Sequence, residues 1–256
     1  MCNFPIIDYP EDVKSLYASE GIQGLPESPQ KMINILKKKK LIDDQLLSGI
    51  NNMDALEERI INKIRKYSDN EKDLRDIFCL IHIWGGISGR NVFVMHGGLK
   101  WEKLYPLYDK FAKDCQSIKI EINSNRKDII NFIDRVYSMI SNFYNYDIIQ
   151  NRGIKINAND KAVHDIGISF LTKHTMFWLI RNNPENPLPI YDSTLACGLM
   201  CNPKVEWDDL KRYWMCMIYK ARQENVCLRA LERTLYNYYS KRRDEIRKER
   251  DKINTK

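Results

Sequence analysis

Apolar residues recur at helical spacing along most of this chain, and that period constrains the fold more than any other feature. From Ile129 they fall at Ile130, Phe132, Ile133, Val136, Tyr137, Ile140 and Phe143. This is the i, i+3, i+4, i+7 pattern of a helix with one buried face. The stretch MDALEERIINKIRKY repeats it with Leu56, Ile60, Ile61 and Ile64. The run from Asp209 to Ile253 predicts one or two long C-terminal helices whose last third is mostly charged. Strand signals are short. SIKIEI (Ser117–Ile122) alternates Ile118, Ile120 and Ile122, and NVFVM (Asn91–Met95) is rich in β-branched and aromatic residues. No βαβ alternation and no internal repeat is present. The expected fold is mainly α, with at most a small sheet from these two segments. A single globular helical domain over residues 1–256, with room for two lobes, is expected. Residues 1–30 form an N-terminal arm in this reading, with GLPESPQ (Gly24–Gln30) as its loop, and 241–256 a charged C-terminal helix or tail.

A chain of 256 residues, 43% hydrophobic and 29% charged, can bury a sizeable core. No apolar run approaches the roughly 18 residues of a membrane span. The N-terminal stretch MCNFPIIDYPEDVKSLY lacks a basic segment followed by an apolar one, so no secretory leader is expected and a cytoplasmic location follows. The seven cysteines are odd in number and match no zinc or iron–sulfur spacing, which predicts free thiols rather than a disulfide framework. The four histidines form no metal pair at useful spacing.

The net charge of +7 has the sign that nucleic-acid binding needs. Basic residues cluster at Lys37, Lys38, Lys39 and Lys40, and again from Lys241 to Lys256, where eight Lys or Arg face four Asp or Glu. Each run is either a solvated helix face or a phosphate contact.

The stretch that can carry chemistry is FLTKHTMFWLIRNNPENPLPIYDS, Phe170 to Ser193. Gly167 supplies a turn and Ser169 is a good helix-capping residue type. The spacing predicts a helix from Phe170 to about Asn182, with Lys173 in its first turn. The positive end of a helix and partial burial both disfavour a protonated amine. They are the means by which a lysine becomes a nucleophile near neutral pH. Phe177 and Ile180 share its face. A loop with three prolines follows, and Asp192 is placed to cap the next helix, where backbone N–H groups favour its charged form.

Lys173 and Asp192 stand nineteen residues apart, as helix, apolar run, proline loop and hydrophobic-x-Asp. In this respect FLTK and PIYD resemble the catalytic segment of the helix-hairpin-helix DNA glycosylase superfamily, in particular divergent bacterial members of its 8-oxoguanine DNA glycosylase branch. The resemblance runs from Asp160 to Cys197. The family hairpin usually reads Leu-Pro-Gly-Val-Gly before Thr-Lys. Here GISFL stands in its place, with Ile168 for the proline and Ser169 and Leu171 for the glycines.

The resemblance implies a helix-hairpin-helix glycosylase-like bundle that extrudes a damaged or modified base and excises it. Lys173 would be the nucleophile that forms a Schiff base and allows strand scission, and Asp192 would stabilise charge on the sugar. No cofactor and no metal is implied. The implied partner is DNA, contacted near Ser169 and by the lysines of Lys37–Lys40. Relatives of this type among phage-defence genes add a defence-system protein as a partner, with no membrane involved. Substrate contacts are expected at Phe177 and in IHIWGGISGRNVFVMHGG, where Trp84 beside Gly85 and Gly86 can stack a base and Arg90 can grip a phosphate. For Trp84 and the glycines, a core tryptophan at a helix end is the competing reading. Two other functions stay open: an inactive glycosylase-fold subunit that binds DNA or protein, and a helical interaction protein that docks through its charged C-terminal helix.

Overall fold

The computed structural model describes residues 25–95, 97–119, 123–150, 166–200 and 205–254. Eleven α-helices order these residues: α1 Glu27–Lys38, α2 Asp44–Leu47, α3 Met53–Lys66, α4 Glu71–Gly85, α5 Asn91–Val94, α6 Trp101–Gln116, α7 Arg126–Gln150, α8 Ile168–Ile180, α9 Ser193–Met200, α10 Trp207–Glu224 and α11 Leu228–Asn254. A 3-10 turn, Ile87–Gly89, joins α4 to α5. The protein is all-α, with no strand among the described residues.

Neither strand candidate forms a strand among the described residues. Asn91–Val94 of NVFVM is the short helix α5, where the Arg90 carbonyl accepts from Phe93 N and Val94 N. Its two central apolar side chains, Val92 and Phe93, are both buried, and Phe93 packs edge-on against Phe78 and His82. Burial of adjacent residues suits a helical turn, and packing overrides a modest β preference. Ser117 to Lys119 of SIKIEI follow α6 as turn and coil, and the rest of that segment lies outside the described residues.

The sequence encodes several helix starts with side-chain caps. Asn52 Oδ1 accepts from Ala55 N at 2.8 Å to open α3, and Asn70 Oδ1 accepts from Asp73 N at 3.1 Å to open α4. The C-terminal run is two helices, because Asn225 takes the left-handed conformation (φ 52°) and ends α10. The expected C-terminal charged segment is part of α11, which continues to Asn254. Residues 1–24 of the expected arm lie outside the described residues, and the remainder of it opens α1, with Met32 and Leu36 fully buried.

Helix α8 is the centre of the molecule. Every residue from Phe170 to Ile180 is buried, as for a helix enclosed on all sides. Helices α3, α4 and α6 pack around it, while α10 lies on α7 and α11, and α9 on α11. The buried apolar side chains form one cluster from Met32 to Tyr239. A polar chain crosses it. Trp178 Nε1 donates to Tyr108 Oη at 2.9 Å, and Tyr108 Oη meets His174 Nδ1 at 2.7 Å.

Candidate active site

Helix α8 begins at Ile168, with Gly167 as an N-cap that offers no side chain. Ser169 is thus inside the first turn instead of capping it, and Lys173 sits in the second. The physical reason is burial: Ile168 and Phe170 are both in the core, so the helix starts early enough to bury them. Ser169 turns its hydroxyl back along the helix. Lys173 Nζ donates to Ser169 Oγ at 2.7 Å and reaches the Ser169 carbonyl at 3.4 Å. Lys173 is only 7% exposed, with its ammonium 4.8 Å from the Phe170 ring centre. Burial pushes its pKa below the ordinary lysine value, against the opposing pull of two carboxylates, Asp192 and Glu232. Desolvation is the larger influence.

The proline loop is fixed at several points. Tyr191 N donates to Thr172 Oγ1 at 3.1 Å. Tyr213 Oη donates to the Ile190 carbonyl at 2.6 Å, and Trp214 Nε1 to the Pro189 carbonyl at 2.9 Å. Helix α11 holds the loop from the other side: Leu228 N donates to Asn186 Oδ1 at 3.0 Å and Arg229 N to the Glu185 carbonyl at 3.2 Å. Asp192 then caps α9 as its residue type predicts, accepting from Thr194 N at 2.9 Å and Leu195 N at 3.0 Å. The bond between Thr172 and Tyr191 spans nineteen residues, the same interval as Lys173 to Asp192. Lys173 and Asp192 each stand one position further along the chain.

Four more charged groups form a linked cluster between α3 and α11. Arg229 Nη2 pairs with Glu57 at 2.8 Å, and Nη1 pairs with Glu232. Arg233 adds a second guanidinium to Glu57 at 2.7 Å. Burial raises the pKa of Glu232 above the ordinary carboxylate value despite Arg229. Burial also acts to raise Glu57, but its two guanidiniums outweigh it and leave the pKa lowered.

Trp84 closes the group. Its ring lies 5.6 Å from the Arg229 guanidinium carbon and meets Phe177 edge-on at 5.3 Å. Gly85 has no room for a side chain: a Cβ there would fall 2.5 Å from Phe170 Cε1 and 3.1 Å from Lys173 Cδ. The end of α4 therefore touches the lysine stem directly.

Of the residues expected from sequence, Lys173 bonds Ser169 and has Asp192 among its charged surroundings, and Trp84 packs on Phe177. Phe177 is fully buried beneath Trp84, which is half-buried. Arg90 is exposed, one residue past Gly89, which packs on Phe170. Lys37–Lys40 are exposed at the far end of α1, with Lys37 paired to Asp44. The near end, at Ser28, accepts from Ile87 N at 2.9 Å, and the ten residues between span roughly 15 Å of helix. Residues missed by sequence reasoning are Thr172, Tyr213, Trp214, Glu57, Arg229 and Glu232. Only Thr172 carried a local signal, since it precedes Lys173 by one as Tyr191 precedes Asp192. A separate surface cleft of about 260 Å³, lined by residues including Arg59, Lys63, Asp73 and Asp76, contains none of these groups. Lys63 there is paired with both Asp73 and Asp76.

The chain matches no known protein family, and neither the curated proteins nor the solved structures contain a match to it. Among the described residues, no helix is long and apolar enough to cross a membrane.

Proposed function

We propose that this chain is a DNA glycosylase with lyase activity, built as a helix-hairpin-helix glycosylase-like bundle, that acts on a damaged or modified base through Lys173 and Asp192. The register set by Thr172 and Tyr191 carries the reading. It ties the loop just ahead of Asp192 to α8 just ahead of Lys173, and the desolvation of the amine, with Asp192 among its charged surroundings, supports the same reading. In the proposed reaction the free amine of Lys173 attacks the anomeric carbon of the extruded nucleotide. The bond to the base breaks, and the base leaves with the bonding electron pair and takes up a proton. The nitrogen gives up a proton; opening of the sugar ring, in which O4′ leaves C1′ and takes up a proton, then gives the Schiff base, and β-elimination removes a 2′ proton and breaks the bond to the 3′ oxygen. Asp192, held by two backbone N–H groups, stabilises positive charge on the sugar as the base departs. A phage-defence setting, with DNA carrying a modified base as the substrate, belongs to the same proposal.

A second reading, an inactive glycosylase-fold subunit that binds DNA or protein, draws on the burial of the amine and its bond to Ser169. Borohydride trapping against duplex and single-stranded DNAs carrying different modified bases separates the two. Wild type is expected to give a covalent adduct with at least one substrate. Lys173→Gln abolishes adduct and scission while remaining folded by circular dichroism. Asp192→Asn keeps DNA binding and its helix cap but loses about 100-fold or more in single-turnover rate. Full activity in Lys173→Gln overturns the assignment, and no wild-type adduct across the panel favours the inactive subunit.

A further inference from the structure

The amine of Lys173 is cradled by the helical turn before it. Among the described residues, the hydrogen-bond acceptors of Nζ are the two oxygens of one residue: Ser169 Oγ at 2.7 Å and the Ser169 carbonyl at 3.4 Å. Both are uncharged. Ser169 stands four residues earlier on α8, on the same helix face. Phe170 supplies a wall, with its ring centre 4.8 Å from Nζ. That ring is itself held. His82 stacks on it at 4.7 Å and 16°, and a Cβ on Gly85 or Gly89 would fall 2.5 Å or 2.4 Å from its atoms. Gly85 confines the lysine stem as well, since its Cβ would lie 3.1 Å from Lys173 Cδ. Lys173 is buried while Ser169 is half-buried, so the hydroxyl is the more accessible end of the pair.

We propose that Ser169 is a positioning residue of the Lys173 site: its two oxygens hold the N–H donors of the amine and leave the nitrogen lone pair directed away from Ser169, open to an electrophilic carbon. This rests on the reading of Lys173 as the nucleophile. A free amine has two N–H donors and one lone pair. The Ser169 carbonyl can only accept, so it takes one N–H, and the hydroxyl oxygen accepts the other. The third tetrahedral direction is then fixed by difference. In the ammonium the same two bonds are made, and the proton lost on ionisation is the one that Ser169 does not hold. A lysine without such acceptors turns freely about the end of its flexible stem, and its lone pair samples every direction. Orientation of a reacting atom is worth orders of magnitude in rate. Burial favours the uncharged amine; Ser169 decides where the freed electron pair points.

The test uses formaldehyde as the carbon electrophile and borohydride to trap the Schiff base, so no DNA is needed. Methylation of Lys173 is followed by mass spectrometry, with the exposed Lys66 of α3 as internal reference. Rates are compared on the alkaline plateau, where the amine is free in every variant and only its orientation differs. Ser169→Ala is expected to slow Lys173 relative to Lys66 by roughly tenfold, and Ser169→Thr, which keeps the hydroxyl, to return it to within about threefold of wild type. An unchanged or faster rate in Ser169→Ala overturns the proposal, since the hydroxyl would then be a donor that occupies the lone pair. A Ser169→Thr variant as slow as alanine overturns it too, as does a wild-type Lys173 that formaldehyde leaves unlabelled in the folded protein. Alanine suits a helix, and circular dichroism checks the fold. If that variant does not fold, Ser169→Cys, which keeps the shape and weakens the acceptor, gives the same comparison. With a trappable DNA at saturation, the single-turnover trapping rates follow the same order of variants. Failure of every DNA to form an adduct defeats the glycosylase reading, while the formaldehyde series still decides the role of Ser169.

Discussion

Thr172 makes two hydrogen bonds with one oxygen. It donates to the Ser169 carbonyl at 3.1 Å and accepts from Tyr191 N at 3.1 Å. The second bond satisfies a buried backbone donor in a loop that no regular structure would otherwise pair. Thr172→Val keeps the shape and removes the acceptor, leaving Tyr191 N unsatisfied. An expected loss of about 1–3 kcal/mol in unfolding free energy follows, measurable by urea denaturation. If Asp192 depends on this bond for its position, the trapping rate falls as well, while Thr172→Ser retains both stability and rate. Equal stability of the valine variant and wild type would mean that the bonds from Tyr213, Trp214 and the start of α11 hold the loop without this one.

Helices α9 and α11 approach closely because Gly198 has no side chain. A Cβ there would lie 2.4 Å from two atoms of the Tyr239 ring, which is only 1% exposed and has nowhere to turn. Gly198→Ala is expected to push the helices apart and cost about 1–3 kcal/mol, outweighing the roughly 1 kcal/mol that alanine gains over glycine within a helix. Thermal unfolding checks the sign. A rise in Tm would show that the helix pair can relax. Since α9 is capped by Asp192 and α11 carries Glu232, Gly198→Ala also disturbs both carboxylates near Lys173. The double variant Gly198→Ala, Tyr239→Leu should recover part of the loss by making room.

The whole molecule meets acid through its core. His82 and His174 lie 5.2 Å apart where α4 crosses α8, both almost fully buried, with Phe170 stacked on the one and Phe78 on the other. Burial pushes the His82 pKa down from 6.5 to about 3, and that of His174 is lowered in the same direction. The unfolded chain therefore binds protons before the folded one does. The stability from neutral His82 is fully present above about pH 6.5 and is lost as pH falls towards about 3, at about 1.4 kcal/mol per pH unit for one group. His82→Leu, near enough in volume to test the charge, should flatten the slope of unfolding free energy between about pH 6 and 4 relative to wild type. An unchanged slope would place the acid sensitivity elsewhere.

Much of this architecture was legible in the chain because helices are local. The apolar period places α3 and α7, Asn52 and Asn70 begin helices by reaching only three residues ahead, and Asp192 is a cap in sequence and in structure alike. The interval between Lys173 and Asp192 was legible for a related reason: a helix and a short proline loop leave little freedom in where the chain returns. Tertiary packing decided the rest. NVFV became a helical turn because Val92 and Phe93 both had to be buried, and no local pattern distinguishes that from a strand. Ser169 left its capping position because the core draws the start of α8 back to Ile168. Glu57, Arg229 and Glu232 carry no distinguishing signal, since charges interleaved with leucine and alanine are what any amphipathic helix shows. They are buried together only because α3 and α11 close over the end of α4, and the pull between charges so far apart in the chain exists only once the fold has excluded the water between them.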